Sequence, residues 1–441
     1  MTLMRKTLIT LAATLAVMSL AGTAGASPPL PLPNPDRPAA TPVAGGQATT
    51  SANPVCPALR RTVRSGNGGA SLMVKNLGNG KTVCSLNPKT RRSLASNTKI
   101  FTTVTALGRL GTGHRMLTKV FSDGGLRNGV LSGNLYLRGG GDPSLGTPGF
   151  LDAYLAGAGS DIDRLAAAVR RSGIRRITGR VYGDDTVFDR LRGVADSGYR
   201  TSPYVGPLSG LSINAGFTGA SLNRFSSNPA KLAAKSLVRS LKKRGVSVRG
   251  DVALRKSPSG GERRLRARLP SPDMAWMSRV TNVNSNNFFA EMLLKHIGSE
   301  ARGSGTTRAG AAVVRRYVKS KFDAVVRPLD GSGLTFGNRS SAGDIVRLLN
   351  RVRKRGFGDA FAGSLAVAGR SGTLADRMRG SAAQGRCRAK TGTLTGVSAL
   401  SGYCFNRSGR KYAFSILMND VFDTTAARTA QDRIASIVAG L

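Results

Sequence analysis

The sequence predicts a mixed fold of helices and sheets, of the α/β (α+β) class, with one α/β unit inserted into the middle of the chain. Three patterns predict this fold. Apolar residues recur at helical spacing after Ser96, a weak internal repeat of helix and strand patterns occupies residues 160–256, and three strand patterns precede a final helix over 424–441. With 441 residues, the chain is long enough for two or three domains.

The N-terminus predicts an exported protein. Arg5 and Lys6 precede an apolar run over 8–20, and the small residues at 24–26 are typical of a signal-peptide cleavage site. We expect a signal peptide over 1–26 and a disordered linker over 27–54, which is rich in Pro, Ala, Thr and Gly. A transmembrane anchor is the alternative, but the apolar run is short and no later stretch is long enough to span a bilayer. We therefore expect an extracytoplasmic protein at the cell wall or membrane surface, without a transmembrane anchor.

The chain is strongly basic, with 66 Lys and Arg against 23 Asp and Glu and a net charge of +43. The cations are dispersed in small clusters. In the cytoplasm such a charge would favour nucleic acid as a partner. For an exported chain we expect no nucleic acid, and anionic cell-wall polymers or a membrane surface become the natural counter-charge. A generally basic proteome or a salt-adapted surface explains the charge equally well.

The cysteines and histidines argue against a metal site. Cys56, Cys84, Cys387 and Cys404 have no C-x-x-C spacing, and the chain contains only 2 His. An even number of cysteines in an exported chain favours two disulfides. The scarcity of histidine also disfavours a Ser-His-Asp triad, so the base for any serine nucleophile is expected to be a lysine.

The elements follow in order. Before the Ser96 helix, the patterns predict a helix over 55–64 and a hairpin of strands over 70–74 and 81–85. Strands over 120–121 and 129–137 lead into a glycine-rich turn over 138–144. In the repeat, helix faces at 162–169 and 232–241 each precede two short strand patterns, which indicates an inserted α/β domain over 119–269. Helices are then expected over 274–280, 288–297, 307–319 and 341–352, and strands over 386–394, 397–405 and 411–418.

Ser96 and Lys99 are candidates for nucleophilic catalysis. Ile100, Val104 and Leu107 place both near the start of a helix, where side chains three residues apart share a face. A serine hydroxyl is a weak nucleophile, and a desolvated lysine can act as its base. A helix start also offers unpaired N–H groups to a developing oxyanion. Alone, S-x-x-K is weak support, because it arises often by chance in a chain rich in these residue types.

Two further motifs follow in order, Ser285-Asn286-Asn287 and Lys390-Thr391-Gly392-Thr393. With Ser96-x-x-Lys99, they resemble the three signatures of the penicillin-recognising serine acyltransferases. The runs over 135–144, 177–189 and 330–334 narrow the resemblance to the class C low-molecular-mass penicillin-binding proteins, the D-alanyl-D-alanine carboxypeptidase/endopeptidases. The resemblance extends from Cys56 to the C-terminus.

The resemblance implies a penicilloyl-serine transferase fold, in which a helical subdomain and an antiparallel sheet flanked by helices form a catalytic domain over 55–118 and 270–441. It implies that Ser96 is the acylated nucleophile and Lys99 its general base. Ser285 would relay a proton to the leaving amine, Asn287 would hold Lys99 and the substrate amide, and Lys390 would supply positive charge.

The same resemblance implies that Thr391, Gly392 and Thr393 bind substrate, with the two hydroxyls on its terminal carboxylate. The N–H groups of Ser96 and Thr393 would form the oxyanion hole. Peptidoglycan stem peptides are the implied substrate, β-lactams the implied covalent inhibitors, and no cofactor is implied.

Spacing separates this chain from its relatives. Lys99 and Ser285 lie much farther apart than in a single-domain β-lactamase, and no Glu-x-x-Leu-Asn segment follows Asn287 to supply a deacylating base. Residues 214–232 leave little room for the additional nested domain that many family members carry, so we expect one inserted domain. Two alternatives stay open: a β-lactamase or esterase on the same scaffold, and a non-catalytic basic protein that binds cell walls.

The last hairpin predicts a disulfide. Thr395-Gly396 is a two-residue turn between two strand patterns, and the resulting register places Cys387 directly opposite Cys404 in a non-hydrogen-bonded pair. At such a pair the side chains approach closely enough for a disulfide. Cys56 and Cys84 would then pair by default.

Overall fold

The computed structural model describes residues 55–219, 222–260 and 263–441. The predicted signal peptide and linker lie outside these residues. Within them, no helix is long and apolar enough to cross a membrane.

The helices are α1 (Val55–Arg64), α2 (Thr98–Leu110), α3 (Pro148–Leu155), α4 (Ile162–Arg171), α5 (Pro229–Lys242), α6 (Met274–Val283), α7 (Asn287–Arg302), α8 (Thr307–Phe322), α9 (Ala342–Val352), α10 (Gly358–Gly363) and α11 (Thr424–Gly440). The strands of the first half are β1 (Gly69–Asn76), β2 (Thr82–Leu86), β3 (Arg91–Ser93), β4 (Leu117–Ser122), β5 (Gly125–Arg127), β6 (Val130–Ser132), β7 (Leu135–Arg138), β8 (Leu145–Gly146), β9 (Ser160–Asp161), β10 (Arg176–Ile177) and β11 (Val181–Asp184). Those of the second half are β12 (Ser247–Val248), β13 (Val252–Leu254), β14 (Arg264–Pro270), β15 (Val326–Arg327), β16 (Arg339–Ser341), β17 (Ala366–Val367), β18 (Cys387–Leu394), β19 (Val397–Phe405) and β20 (Lys411–Asn419).

The largest sheet has six strands in the order β17-β18-β19-β20-β1-β2, all antiparallel. Helices α1 and α11 pack on one face, and α9 packs on the other. Strand β17 pairs with β18 only at Ala389 and Arg388. Among the described residues, β18 therefore has an open edge from Lys390 onward, beside the predicted catalytic segment.

Helix α2 lies at the centre of the helical part, against α6, α7 and α8. The sequence predicts one apolar face, but every residue from Thr98 to Leu107 is buried. Thr103 and Thr105 tolerate this burial because their hydroxyls bond to helix carbonyls: Thr103 Oγ1 donates to the Lys99 carbonyl at 2.7 Å, and Thr105 Oγ1 to that of Phe101 at 2.8 Å. The start of α2 thus lies inside the protein.

The described part of the segment from β4 to β14 forms two larger sheets, in the orders β13-β11-β7-β4-β14 and β12-β10-β6-β5, and the short pair β8-β9. The repeat is visible as parallel pairs, β10 with β12 and β11 with β13. The single strand predicted over 129–137 is wrong, because β6 and β7 belong to different sheets. The chain changes sheet at Gly133, where a Cβ would lie 2.8 Å from the Gly124 Cα.

The predicted register of the last hairpin is confirmed. Leu394 pairs with Val397 and Cys387 with Cys404. Disulfides join Cys387 to Cys404 and Cys56 to Cys84, the two predicted pairs. The first ties β18 to β19 next to the Lys390 segment.

We expect the Cys387→Ala/Cys404→Ala variant to lose about 3 kcal/mol of unfolding free energy, because its disulfide closes a loop with a sequence separation of 17. Urea unfolding measures this loss. Cys56→Ala/Cys84→Ala, with a separation of 28, serves as the comparison and should lose slightly more. An unchanged midpoint in both variants would show that neither crosslink constrains the unfolded chain.

Candidate active site

Ser96 lies in a 3-10 turn over Ala95–Asn97, directly before α2 begins. Ala95 has a φ of 45°, in the left-handed region that costs energy for a residue with a Cβ. Gly333 packs so closely on this turn that a Cβ there would lie 1.8 Å from the Ala95 carbonyl oxygen. The neighbouring loop therefore helps to hold the strained turn that presents Ser96.

Lys99 Nζ lies 2.8 Å from Ser96 Oγ, 2.7 Å from Asn287 Oδ1 and 2.7 Å from the Ser332 carbonyl oxygen. The orientation of the Asn287 amide is fixed by its Nδ2, which donates to the Tyr204 carbonyl at 3.0 Å. Amide and carbonyl oxygens are acceptors only. If the Lys99 amine is neutral, its two N–H groups donate to the Asn287 and Ser332 oxygens. Its lone pair is then free to accept the hydroxyl hydrogen of Ser96.

The Lys99 side chain is fully buried. Burial disfavours the charged ammonium, and it is the main reason that the pKa of Lys99 is lowered to about 7. The negative charges of Asp330 and Glu291 act in the opposite direction and raise this pKa. A substantial fraction of Lys99 is therefore a neutral amine at neutral pH. A neutral amine in hydrogen-bond contact with a hydroxyl has the geometry of a general base.

Ser285 and Asn287 lie at the junction of α6 and α7. Ser285 has a φ of 55°, so the chain is strained here as at Ala95. Asn287 contacts Lys99, whereas the Ser285 hydroxyl has no hydrogen-bond partner within 55–219, 222–260 and 263–441. The structure thus joins Ser96, Lys99 and Asn287 directly, and Ser285 lies two residues before Asn287 without a contact to them among the described hydrogen bonds.

Strand β18 approaches the Ser96 turn at Gly392. A Cβ on Gly392 would lie 2.8 Å from the Leu94 carbonyl oxygen and 3.1 Å from Ser96 N. Asn97 Nδ2 donates to the Lys390 carbonyl at 3.0 Å and ties the turn to the strand. A side chain at position 392 would therefore push the backbone of β18 away from the backbone N–H of Ser96.

Lys390 is fully buried, and its Nζ donates to the Thr391 carbonyl at 3.0 Å. Burial, and then the positive charge of Lys99, lower the pKa of Lys390 well below its usual range. A carboxylate bound nearby would favour the charged form. Thr391 Oγ1 lies 2.9 Å from Thr373 Oγ1, and the exposed Thr393 presents a hydroxyl 3.5 Å from an Arg428 guanidinium nitrogen.

Sequence reasoning missed two carboxylates beneath Lys99. Glu291 and Asp330 are fully buried and bind the backbone N–H groups of the loop that contributes Ser332. Burial raises the pKa of both. Two signals were present: an acidic residue one turn after Asn287 in an apolar helix, and the Asp at the start of Asp330-Gly-Ser-Gly. The second belongs to the run over 330–334 that carries the family resemblance.

This arrangement combines a hydroxyl, a neutral amine, backbone N–H groups and a second buried lysine at an open strand edge, a set of groups suited to acyl transfer through a serine ester. Among the described residues, no group of three or more His, Cys, Asp or Glu could hold a metal ion.

Known proteins share this architecture. A D-alanyl-D-alanine carboxypeptidase from Actinomadura sp. (strain R39) is 33% identical, over 77% of this chain and 76% of its own. The structure of penicillin binding protein 4 (dacB) from Haemophilus influenzae, also solved with a β-lactam, superposes with a TM-score of 0.72 at 20% identity, covering 87% of this chain and 99% of its own. A predatory endopeptidase from Bdellovibrio bacteriovorus, solved acylated by penicillin G, gives a TM-score of 0.52 at 17% identity and covers 83% of this chain and 90% of its own.

Residues 64–227 and 217–441 match the family described as D-Ala-D-Ala carboxypeptidase 3 (S13). The match spans nearly all of the described chain and includes every motif discussed above. The chain belongs to the D-Ala-D-Ala carboxypeptidase 3 (S13) family, which confirms the resemblance to the low-molecular-mass penicillin-binding proteins that its three motifs indicated.

Proposed function

We propose that this chain removes the terminal D-alanine from peptidoglycan stem peptides through an acyl-enzyme at Ser96. The contact between Ser96 Oγ and the buried Lys99 amine, at 2.8 Å, carries the proposal. Family membership supports the reaction class. The residue roles rest on the geometry and on the motif resemblance.

In the first half-reaction, Ser96 Oγ attacks the carbonyl carbon of the scissile amide while Lys99 takes the hydroxyl proton. The N–H groups of Ser96 and Thr393 donate to the oxyanion. The C–N bond then breaks, and the proton reaches the leaving amine through Ser285. D-alanine departs and leaves an ester on Ser96.

In the second half-reaction, water attacks this ester with Lys99 again as the base. The ester bond breaks, Ser96 regains a proton, and the shortened peptide leaves as a carboxylate.

Substrate would bind along the open edge of β18. A peptide in extended conformation can pair with this edge through its backbone. Its terminal carboxylate would meet Lys390 and the hydroxyls of Thr391 and Thr393, with Arg428 next to Thr393. Asn287 would hold the substrate amide, once its Nδ2 is released from the Tyr204 carbonyl.

Three finer assignments belong to the same proposal. β-lactams acylate Ser96, an inference supported by the relatives solved with a β-lactam or acylated by penicillin G. The chain also has endopeptidase activity, as implied by the family resemblance. It is exported and extracytoplasmic, since two disulfides suit an oxidising compartment. We retain the predicted domain boundaries, with 119–269 as the inserted domain.

Anionic cell-wall polymers are a proposed partner. Arg109, Arg302, Arg316 and Lys321 line a cavity of about 170 Å³, which adjoins a second of about 390 Å³ that also contacts Arg355. None of the residues lining the two cavities is acidic, and none of these five cations forms an ion pair within the described ranges. We call this surface the basic cleft. Dense, uncompensated positive charge of this kind attracts polyanions.

The Ser96→Ala variant should lose all labelling by fluorescent penicillin, and Lys99→Ala should acylate at least about 10²–10⁴-fold more slowly, because the base is lost. Gel fluorescence after timed labelling measures both. Ser320→Ala and Lys354→Ala, which change the same residue types on the surface, should label at the normal rate. Full labelling of Ser96→Ala would reject the assignment.

The lifetime of the label separates the alternatives. In a carboxypeptidase of this family, the penicilloyl ester should last much longer than one turnover of the peptide substrate. A β-lactamase or esterase would hydrolyse this ester quickly. A non-catalytic wall-binding protein would not label at all.

Retention of the protein on purified cell walls should fall steadily with salt, as the Debye length shrinks from about 10 Å at 0.1 M to about 3 Å at 1 M. Arg316→Glu/Lys321→Glu in the basic cleft should reduce retention more than Lys242→Glu/Lys243→Glu, which changes net charge equally on the inserted segment. Pull-down assays with the S96A protein exclude covalent effects. Salt-independent retention would indicate a specific receptor and reject the electrostatic explanation.

A further inference from the structure

Glu291 is fully buried on α7, one turn beyond Asn287. Residues four apart on a helix share a face, so α7 presents both toward Lys99. Glu291 Oε1 accepts from Ser332 N at 2.7 Å and from Gly331 N at 3.0 Å, and Oε2 accepts from Gly331 N at 3.1 Å. These bonds hold the backbone of Gly331 and Ser332 in place. The carbonyl of Ser332 in turn accepts a hydrogen bond from Lys99 Nζ.

Asp330 holds the other side of the same loop. Its carboxylate accepts from Gly333 N at 2.7 Å, from Thr335 N at 2.7 Å and from Asn338 Nδ2 at 2.9 Å. In both carboxylates, the oxygens face N–H donors, which stabilise the ionised form and oppose the rise in pKa that burial causes. The loop that presents the Ser332 carbonyl is therefore held by two buried carboxylates.

The charged groups around Lys99 come from three elements: Glu291 on α7, Asp330 in the loop and Lys390 on β18. Glu291 in turn faces Asp330 and, one turn farther along α7, Lys295. Lys295 is neutralised locally, because it is ion-paired with Asp189. Glu291 and Asp330 are thus the negative charges that act on the amine of Lys99.

We propose that Glu291 is a positioning residue for Lys99: through the Gly331–Ser332 backbone it fixes the acceptor that turns the amine toward Ser96, and its charge keeps this amine basic. Burial alone would make the amine a weaker base, because it penalises the ammonium that forms on proton transfer. The two carboxylates oppose this penalty. This inference rests on the proposed roles of Ser96 and Lys99.

Glu291→Gln preserves shape but removes the charge and replaces one acceptor by a donor. Acylation by penicillin requires neutral Lys99, so its rate constant should rise with pH and reach a plateau once the amine is deprotonated. In the variant, the missing negative charge destabilises the ammonium and lowers the pKa of Lys99, so this rise should move to lower pH by about one unit. The plateau should fall about 10- to 100-fold, because the amine is weaker and less well oriented. Stopped-flow labelling gives the rate constant independently of the folded fraction.

Two variants make the test specific. Glu300→Gln, on the exposed part of the same helix, should leave both the plateau and its pH dependence unchanged. Glu291→Asp keeps the charge but is shorter, so it should lower the plateau with little shift in pH. An unshifted Glu291→Gln profile, or an equal shift in Glu291→Asp, would overturn the inference. A wild-type protein that does not label at Ser96 would instead reject the proposed function.

Discussion

The burial of the Lys99 amine among fixed hydrogen-bond acceptors is the constraint on which the rest of the site depends. Removing a lysine from water disfavours its charged form, and the surrounding oxygens then decide where the lone pair points. The acceptors come from distant parts of the chain, Asn287 on α7 and Ser332 in the loop between β15 and β16. Helix α2, helix α7 and this loop must therefore be assembled before Lys99 is held against Ser96.

The segment over 119–269, which we propose as an inserted domain, contacts this assembly. The Tyr204 carbonyl accepts from Asn287, Asp189 pairs with Lys295 on α7, and Asp196 accepts from Phe336 N beyond the Ser332 loop. This segment thus contacts α7, which contributes Asn287, and the chain next to the Ser332 loop. Asn287 links this segment to the candidate site, because it contacts both Lys99 and the Tyr204 carbonyl.

The sequence was sufficient for features that depend on local pattern. Hairpin register follows from a two-residue turn, so the pairing of Cys387 with Cys404 could be derived by counting. The motifs indicated Ser96, Lys99 and Asn287, which the structure brings together. Glu291 escaped notice because its partners are backbone N–H groups in a loop 40 and 41 residues away, a contact that no periodicity reveals. The sequence also did not predict that the chain passes from one sheet to another at Gly133. The close backbone contact there requires a glycine, and a single glycine is not a distinctive pattern.

The mechanism requires that a substantial fraction of Lys99 is a neutral amine near neutral pH. NMR titration of the free protein, labelled with ¹³C at the lysine Cε and assigned with a Lys99→Arg variant, measures this directly. We expect a Lys99 signal that titrates with a pKa of about 7. A Lys99 signal that titrates near the ordinary value of 10.5 would contradict it, because the amine would then be protonated at the pH of the reaction.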